Sequence, residues 1–376
     1  MVCFLVFLSV TKLLKMLINR SATSLIKNQC ILTLVKYCAS LSTNQNNSIK
    51  NIISSFPDSE TRLLKVGIIG VPNSGKSTFI NYLMDRKACP TSSKVHTTRF
   101  KTRSIFTEGD AQIVFLDSPG LVNENETKKF KLENSFLKDS KNVLQEADIV
   151  GVVHDASNVF TRETLDIKVI RLLEINKNKA SFLILNKIDQ LKSKRKLLDI
   201  TRLLTDNCIN GKPVLVPQLK RARHYMNKDI KAWPYFSDIF MVSSLTGDGL
   251  REVKQYLIDS ARPAKWMFPQ AVWTDQTAEI IIQNSVKAKL LDFLPQEIPY
   301  RLKPELEYFD LNDKGVITTV VLIKTPSARI SKLVAGTEDG RLKQIIQSVR
   351  EDLQNAFKNI VKISLIMDPP ADSSPT

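Results

Sequence analysis

Eight consecutive residues, Gly70-Val71-Pro72-Asn73-Ser74-Gly75-Lys76-Ser77, carry the pattern G-x-x-x-x-G-K-S. The chemistry of that spacing is phosphate binding. Gly70 and Gly75 let the backbone curl so that successive N–H groups can face a phosphate chain, and a helix beginning at Lys76 adds its positive end. Lys76 reaches the β/γ oxygens, the Ser77 hydroxyl suits Mg²⁺, and Ser74 and Thr78 join the same phosphate-facing set. Asn73 has two readings: it can coordinate a monovalent cation such as K⁺ against the phosphates, or it can serve as a turn residue.

Three further groups give the loop a context. Asp117-Ser118-Pro119-Gly120 follows the apolar run Gln112–Leu116. Asp117 is expected to hold Mg²⁺ through water, and the Gly120 N–H to sense the γ-phosphate. Asn186-Lys187-Ile188-Asp189 follows Ser181–Leu185. The Asp189 carboxylate can accept from both N1–H and the exocyclic amine of guanine, a donor pair that adenine lacks. Asn186 ties base and loops together, and the Lys187 stem lies along the ring. Ser243-Ser244-Leu245 completes a base pocket through backbone N–H groups and the Ser243 hydroxyl. Taken together, these residues select GTP over ATP.

Thr97-Thr98-Arg99 lies in a polar segment, where a threonine can close over Mg²⁺ only while the γ-phosphate is present; Thr98 is preferred and Thr97 is the alternative. The catalytic set is then Lys76, Thr98, Asp117 and Gly120. Leu121 stands where a water-orienting glutamine would serve, and leucine cannot orient water, so slow intrinsic turnover is expected.

Such residues need strands that end where they stand. Strands are expected over Leu64–Ile69, Arg103–Phe106, Gln112–Leu116, Ile149–His154, Ser181–Leu185 and Ile239–Val242. Between them come helices over Lys76–Met84, Lys131–Gln145, Arg162–Asn176 and Leu250–Ile258. Apolar runs alternating with amphipathic helices predict an α/β fold with a largely parallel sheet covered on both faces. The nucleotide loops would then line its C-terminal edge. Beyond a proline-marked hinge, 263–273, the order changes to helix Thr277–Phe293, strands Leu302–Phe309 and Val316–Ile323, helices Ile330–Val334 and Arg341–Phe357, and strand Ile360–Met367. The expected division is a leader and linker 1–57, a nucleotide domain 62–262, the hinge, a small α+β domain 274–368 and a tail 369–376.

The 376 residues carry 54 Lys+Arg against 38 Asp+Glu, a net charge of +16, which favours an anionic partner: nucleic acid or a membrane surface. Five scattered cysteines and three histidines offer no zinc or disulfide framework. Residues 1–57 contain no acid, while Lys12, Lys15, Arg20, Lys27, Lys36 and Lys50 make them basic. An acid-free, Ser-rich amphipathic leader reads as a mitochondrial presequence, starting at Met1 or Met16. Lys12 cuts the apolar run short of a membrane span. The compartment expected is the mitochondrial matrix, with peripheral contact at the inner membrane as a secondary expectation.

These motifs, with Thr274-Asp275-Gln276 and Glu297-Ile298-Pro299-Tyr300 beyond the hinge, resemble the Era family of GTPases, specifically its mitochondrial members. The resemblance runs from about Leu63 to Asp368. It implies a P-loop GTPase domain joined to a type II KH-like domain that binds the 3′ region of small-subunit rRNA and assists small-subunit assembly. In mitochondria the partners implied are the organellar rRNA and small-subunit proteins. KH domains hold nucleotides with a G-x-x-G loop. Here the loop reads Gly336-Thr337-Glu338-Asp339-Gly340-Arg341, so Asp339 takes the second glycine's place if Gly336 is the first. Lys332, Gly336, Gly340, Arg341 and Lys343 are the RNA candidates around it.

Residues 192–232 add eleven Lys/Arg against three Asp, interleaved with or followed by His224, Tyr225, Trp233, Tyr235 and Phe236. The cations can neutralise phosphates and the aromatics can stack on bases. Equally, the stretch can be a helix with a solvated charged face and aromatics packed on the sheet. Lys220, Arg221 and Arg223 are the preferred RNA contacts. Two functions from different classes follow: a GTP-hydrolysing switch that binds rRNA, and a GTP-regulated ribosome-associated scaffold with little RNA affinity. A tRNA-modifying GTPase would need a C-terminal catalytic cysteine, and none follows Cys208.

Overall fold

A computed structural model of the chain describes residues 60–91, 102–117, 143–214, 232–295 and 297–368. The leader, Thr97–Arg99, Gly120, Leu121, Lys220, Arg221, Arg223 and the tail 369–376 lie outside the described residues, as does most of the helix expected over Lys131–Gln145.

Strand β1 (Arg62–Ile69) leads into helix α1 (Lys76–Met84), and β2 (Thr102–Glu108) turns back onto β3 (Ala111–Asp117). Then β4 (Ile149–Asp155), α2 (Ile167–Ile175), β5 (Ala180–Asn186), α3 (Arg195–Thr205), β6 (Phe236–Met241) and α4 (Leu250–Asp259) alternate. The strand order is β2-β3-β1-β4-β5-β6, parallel throughout except β2. Central strands are buried on both faces, which is why they read as unbroken apolar runs. Phe79, Ile80 and Leu83 of α1 pack with Val253 and Leu257 of α4 on one face. Val169 and Leu173 of α2 pack with Leu197, Ile200 and Leu204 of α3 on the other. From β1 the chain moves to β3 on one side and later to β4 on the other. The crevice at the C-terminal end of β1 is therefore the topological switch point, where ligands bind in open α/β sheets.

One expectation needs correction. The helix expected over Arg162–Asn176 starts only at Ile167, because the Asp166 side chain caps it by accepting from the Lys168 N–H at 2.8 Å. Upstream, Asn158 Oδ1 accepts from the Phe160 N–H at 3.1 Å and holds a turn. The basic stretch opens with the amphipathic helix α3, as its helix reading expected, followed by a short hairpin, Cys208–Ile209 with Lys212–Pro213.

The C-terminal elements are α5 (Ala278–Phe293), β7 (Lys303–Leu311), β8 (Ile317–Lys324), α6 (Ala328–Ala335), α7 (Gly340–Phe357) and β9 (Val361–Asp368). Their sheet runs β7-β8-β9, antiparallel then parallel. Its core joins Ile282, Val286 and Leu290 to Val321, Ile323, Val349, Leu353 and Leu365.

The segment leading to these elements is fastened to the first sheet. Arg262–Pro263 pairs antiparallel with the start of β1. The Trp266 indole N–H donates to Asp110 O at 3.0 Å, and Ile105 N–H donates to Trp273 O at 2.8 Å. The Thr274 hydroxyl donates to Arg103 O at 3.0 Å, and Asp275 Oδ1 accepts from the Arg103 N–H at 3.0 Å. The Thr-Asp-Gln motif thus fastens the edge strand β2.

A second seam joins the end of α1 to α7. The Arg86 guanidinium donates to Ala356 O at 3.1 Å and lies over the Trp273 ring. The Lys87 N–H donates to Asn355 Oδ1 at 3.0 Å. The largely buried Asp352 carboxylate pairs with Lys87 at 2.8 Å and Lys289 at 3.2 Å. Removing a carboxylate that serves two partly buried ammoniums strands both of them, whereas removing one lysine leaves Asp352 answered. Asp352→Ala should lower stability by about 2–3 kcal/mol, and Lys87→Ala by clearly less, both read from urea unfolding; equal losses would contradict this account of the seam.

Candidate GTP site and C-terminal glycine loop

The phosphate loop takes its shape from two glycines. A side chain at Gly75, whose φ is 98°, would run into the Asn186 amide, and one at Gly70 would run into Val153 O. Gly75 precedes α1 with no side-chain cap, so the first N–H groups of the helix face the loop. The Ser74 Oγ is buried and has no hydrogen-bond partner among the described residues. Lys76 is 7% exposed and folds back, its ammonium donating to Gly70 O and Val71 O, both at 3.1 Å. Burial pulls this ammonium down to about 8, against the opposing pull of Asp117. Ser77 Oγ lies 3.3 Å from Asp117 Oδ2 at the buried end of β3. An orphaned buried hydroxyl, uncapped N–H groups, an ammonium and a hydroxyl–carboxylate pair fit a magnesium-bound polyphosphate. Behind Asp117 sits Cys89, buried and held by Asn81; burial and then the Asp117 charge push its thiol well up, so it stays protonated.

The base side is organised by Asn186. Its Nδ2 donates to Ser74 O at 2.9 Å, and its Oδ1 accepts from the Ser244 N–H at 3.0 Å and the Ser244 hydroxyl at 2.9 Å. Ser243 Oγ donates to Asp189 Oδ1 at 2.6 Å and accepts from the Thr246 N–H at 3.2 Å. Asp189 is exposed and Leu245 is 76% exposed. Such a held, solvent-facing carboxylate can meet a pair of donors. Lys187 has φ 63° and pairs with Asp155 at 2.7 Å. Burial pushes the Asp155 carboxyl up, but Lys187 and Ser157 outweigh it and hold it below the usual range. Sequence reasoning missed Asp155. Its one signal was an acid ending a buried strand, and only the β4–β5 register sets it beside Asn186. Tyr82 was missed too, on α1 against Gly247 of the base loop.

The C-terminal loop brings Lys332, Gly336, Gly340, Arg341 and Lys343 together. Gly336 has φ 77°, Glu338 φ 51° and Asp339 φ 57°, while Gly340 is an ordinary helical residue opening α7. Asp339, expected at the second glycine's place, is a left-handed residue of the turn, a conformation that costs a non-glycine residue energy. Arg341 donates to Leu333 O at 2.7 Å, closing the end of α6, and Lys343 reaches Glu338 O at 3.4 Å. Lys332 is exposed. Trp233 and Phe236 are core residues, the Trp233 indole donating to Ser181 Oγ at 3.1 Å, so neither can stack on a base. Tyr235 is 43% exposed under Lys177.

The Lys76 ammonium yields a pH prediction. Its folded pKa of about 8 lies below the ordinary 10.5. Between those values the unfolded chain binds the proton that the folded chain has lost, so this group makes the ligand-free fold more stable as pH rises through that window. A triphosphate beside Lys76 raises its pKa again. GTP binding near pH 9 should therefore take up a proton, and affinity should fall as pH rises from 7 to 9.5. Calorimetry in buffers of different ionisation heat measures this uptake; no proton uptake near pH 9 would contradict it.

Residues 65–187 match the family model described as "50S ribosome-binding GTPase". The chain is 34% identical to "GTPase Era, mitochondrial" of Danio rerio over 346 residues, covering 84% of this chain and 77% of that protein. It is 27% identical to "GTPase Era" of Histophilus somni, covering 82% of this chain and 92% of that protein. Among solved structures, an Aquifex aeolicus Era variant bound to GDP·AlF4⁻ superposes with a TM-score of 0.65 at 22% identity, covering 83% and 95% of the two chains. An Era in complex with MgGDPNP and nucleotides 1506–1542 of 16S ribosomal RNA gives 0.64 at 23%, with the same coverage. The fold is thus an Era-type P-loop GTPase with a mostly parallel sheet, followed by a small α+β KH-like unit. The chain belongs to the Era family of GTPases, mitochondrial members among its relatives, and hydrolyses GTP to GDP and phosphate.

Proposed function

We propose that this chain is a GTP-driven switch of the mitochondrial matrix that binds small-subunit rRNA near its 3′ end and assists small-subunit assembly. The observation that carries the reading is the Asn186 amide, which joins the phosphate loop to the guanine loop. The mitochondrial relatives, the acid-free leader and the related Era held with 16S nucleotides support the rest.

In this reading Gly70, Ser74, Gly75, Lys76, Ser77 and Thr78 hold the phosphates. Asn186, Lys187, Asp189, Ser243, Ser244 and Leu245 hold the base. Ser77, Thr98 and, through water, Asp117 would hold Mg²⁺, which would supply charge to offset that developing on the transferred phosphoryl. Asn73, at φ 60° in the phosphate loop, is the proposed K⁺ ligand, a turn role being the alternative. Lys76 stabilises the departing charge, while Thr98 and Gly120 report the γ-phosphate and relax once it is lost. With Leu121 unable to orient water, intrinsic turnover is slow. The working parts are a nucleotide domain 62–262, a connector 263–273 and a KH-like domain 274–368, preceded by an import leader 1–57 and followed by a tail 369–376. Small-subunit proteins are the further partners, and the inner membrane is a peripheral contact.

A second reading, a GTP-regulated scaffold with little RNA affinity, draws on Asp339 in the glycine position and Arg341 bonded to Leu333 O. Crosslinking and sequencing of bound RNA in cells separates the two, comparing the full chain with one lacking 274–367. The switch reading expects reads concentrated near the 3′ end of the mitochondrial small rRNA and lost on truncation; no rRNA enrichment from the full chain overturns it.

A further inference from the structure

The cations of the KH-like loop are partly spent within the protein: Arg341 closes α6, Lys343 turns toward Glu338 O, and Glu338 and Asp339 put negative charge on the same turn. Lys332 remains exposed beside the loop, and further phosphate-neutralising charge lies elsewhere in the chain. The segment that enters α3 beyond the guanine motif supplies such charge. Lys192, Lys194, Arg195 and Lys196 are all exposed, and none has an ion-pair partner among the described residues. Asp199, the one acid of α3, faces Arg202 at 3.8 Å.

Folding does not explain this cluster. α3 is held to the sheet by Leu197, Ile200 and Leu204, while the four cations are exposed. Its first turn has no acid and no side-chain cap, so the cations sit at the positive end of the helix, an unfavourable placement. Successive residues of a helix point about 100° apart. Lys194, Arg195 and Lys196 therefore fan out, which suits an extended polyanion better than a single phosphate. Asp199 and Arg202 interrupt the outer face, leaving no continuous apolar stripe to enter a lipid surface.

We propose that Lys192, Lys194, Arg195 and Lys196 form a second RNA surface on the nucleotide half, binding the sugar-phosphate backbone without reading sequence. This rests on the chain binding rRNA at all. It places an RNA contact next to Asn186–Asp189, apart from the KH-like loop.

The test compares the full chain with its Lys192→Gln/Lys194→Gln/Arg195→Gln/Lys196→Gln variant. Binding to a 3′ fragment of mitochondrial small-subunit rRNA is measured over a range of salt concentrations. Four lost phosphate contacts should reduce the slope of log affinity against log salt by about 3, at roughly 0.7 per contact on a single strand. Basal GTP hydrolysis should be unchanged, and the melting temperature should hold or rise slightly because charges opposing the helix dipole are gone. A variant with only Lys194→Gln and Arg195→Gln should lose about half of that slope change, which covers failure of the fourfold variant to fold. An unchanged slope overturns the inference while leaving the switch reading intact. Loss of binding to vesicles containing anionic lipid, with RNA binding unchanged, overturns it in favour of a membrane. A wild-type chain that does not bind the RNA overturns both readings.

Discussion

One side-chain amide holds the nucleotide site together. Asn186 donates to the phosphate loop at Ser74 O and accepts from the base loop at the Ser244 N–H and hydroxyl, all while buried. An amide can do this because it carries donor and acceptor on one planar group, whereas a carboxylate or an aliphatic side chain of similar size would leave one loop unpaired. The constraint reaches further. Gly75 must be glycine because this amide occupies the space of a side chain there. Asp155 and Lys187 brace the same corner from β4, and Ser243 brings Asp189 to a set position.

The same element that begins in the phosphate loop ends at the C-terminal half. Helix α1 starts at Lys76 and finishes against Arg86 and Lys87, whose contacts fall on Asp352, Asn355 and Ala356 of α7. The helix is nine residues long and continuous between these two ends. The edge strand β2 adds a second route through Arg103 to Thr274 and Asp275. Two such connections give the proposed nucleotide-dependent movement a physical path to the C-terminal half, which is what a switch requires.

Much of this was legible in the residue pattern, and the parts that were not share a reason. Helix α1 was placed at Lys76–Met84 and found there, because a glycine turn, a phosphate-loop motif and an apolar stripe agreed. The start of α2 was misplaced because Asp166 and Asn158 act through side-chain bonds to backbone, which compete with helix in ways periodicity does not register. Asp155 was invisible because its partner depends on strand register. The Lys87–Asp352 pair joins residues 265 positions apart, and only the packed structure brings them together. Arg341 read as a cation for RNA because charge is visible in a sequence, while its bond to Leu333 O is not.

The central claim is that the nucleotide state governs RNA engagement, so the measurement that tests it most directly is a comparison of RNA affinities. The full chain would be titrated with a 3′ fragment of mitochondrial small-subunit rRNA in the presence of either a non-hydrolysable GTP analogue or GDP. The account predicts at least about tenfold tighter binding with the GTP analogue, within the usual range of coupling between two sites. Because linkage is reciprocal, the RNA should tighten analogue binding by the same factor. Equal RNA affinities in the two nucleotide states would contradict the account, leaving a GTPase whose nucleotide site and RNA surface act independently.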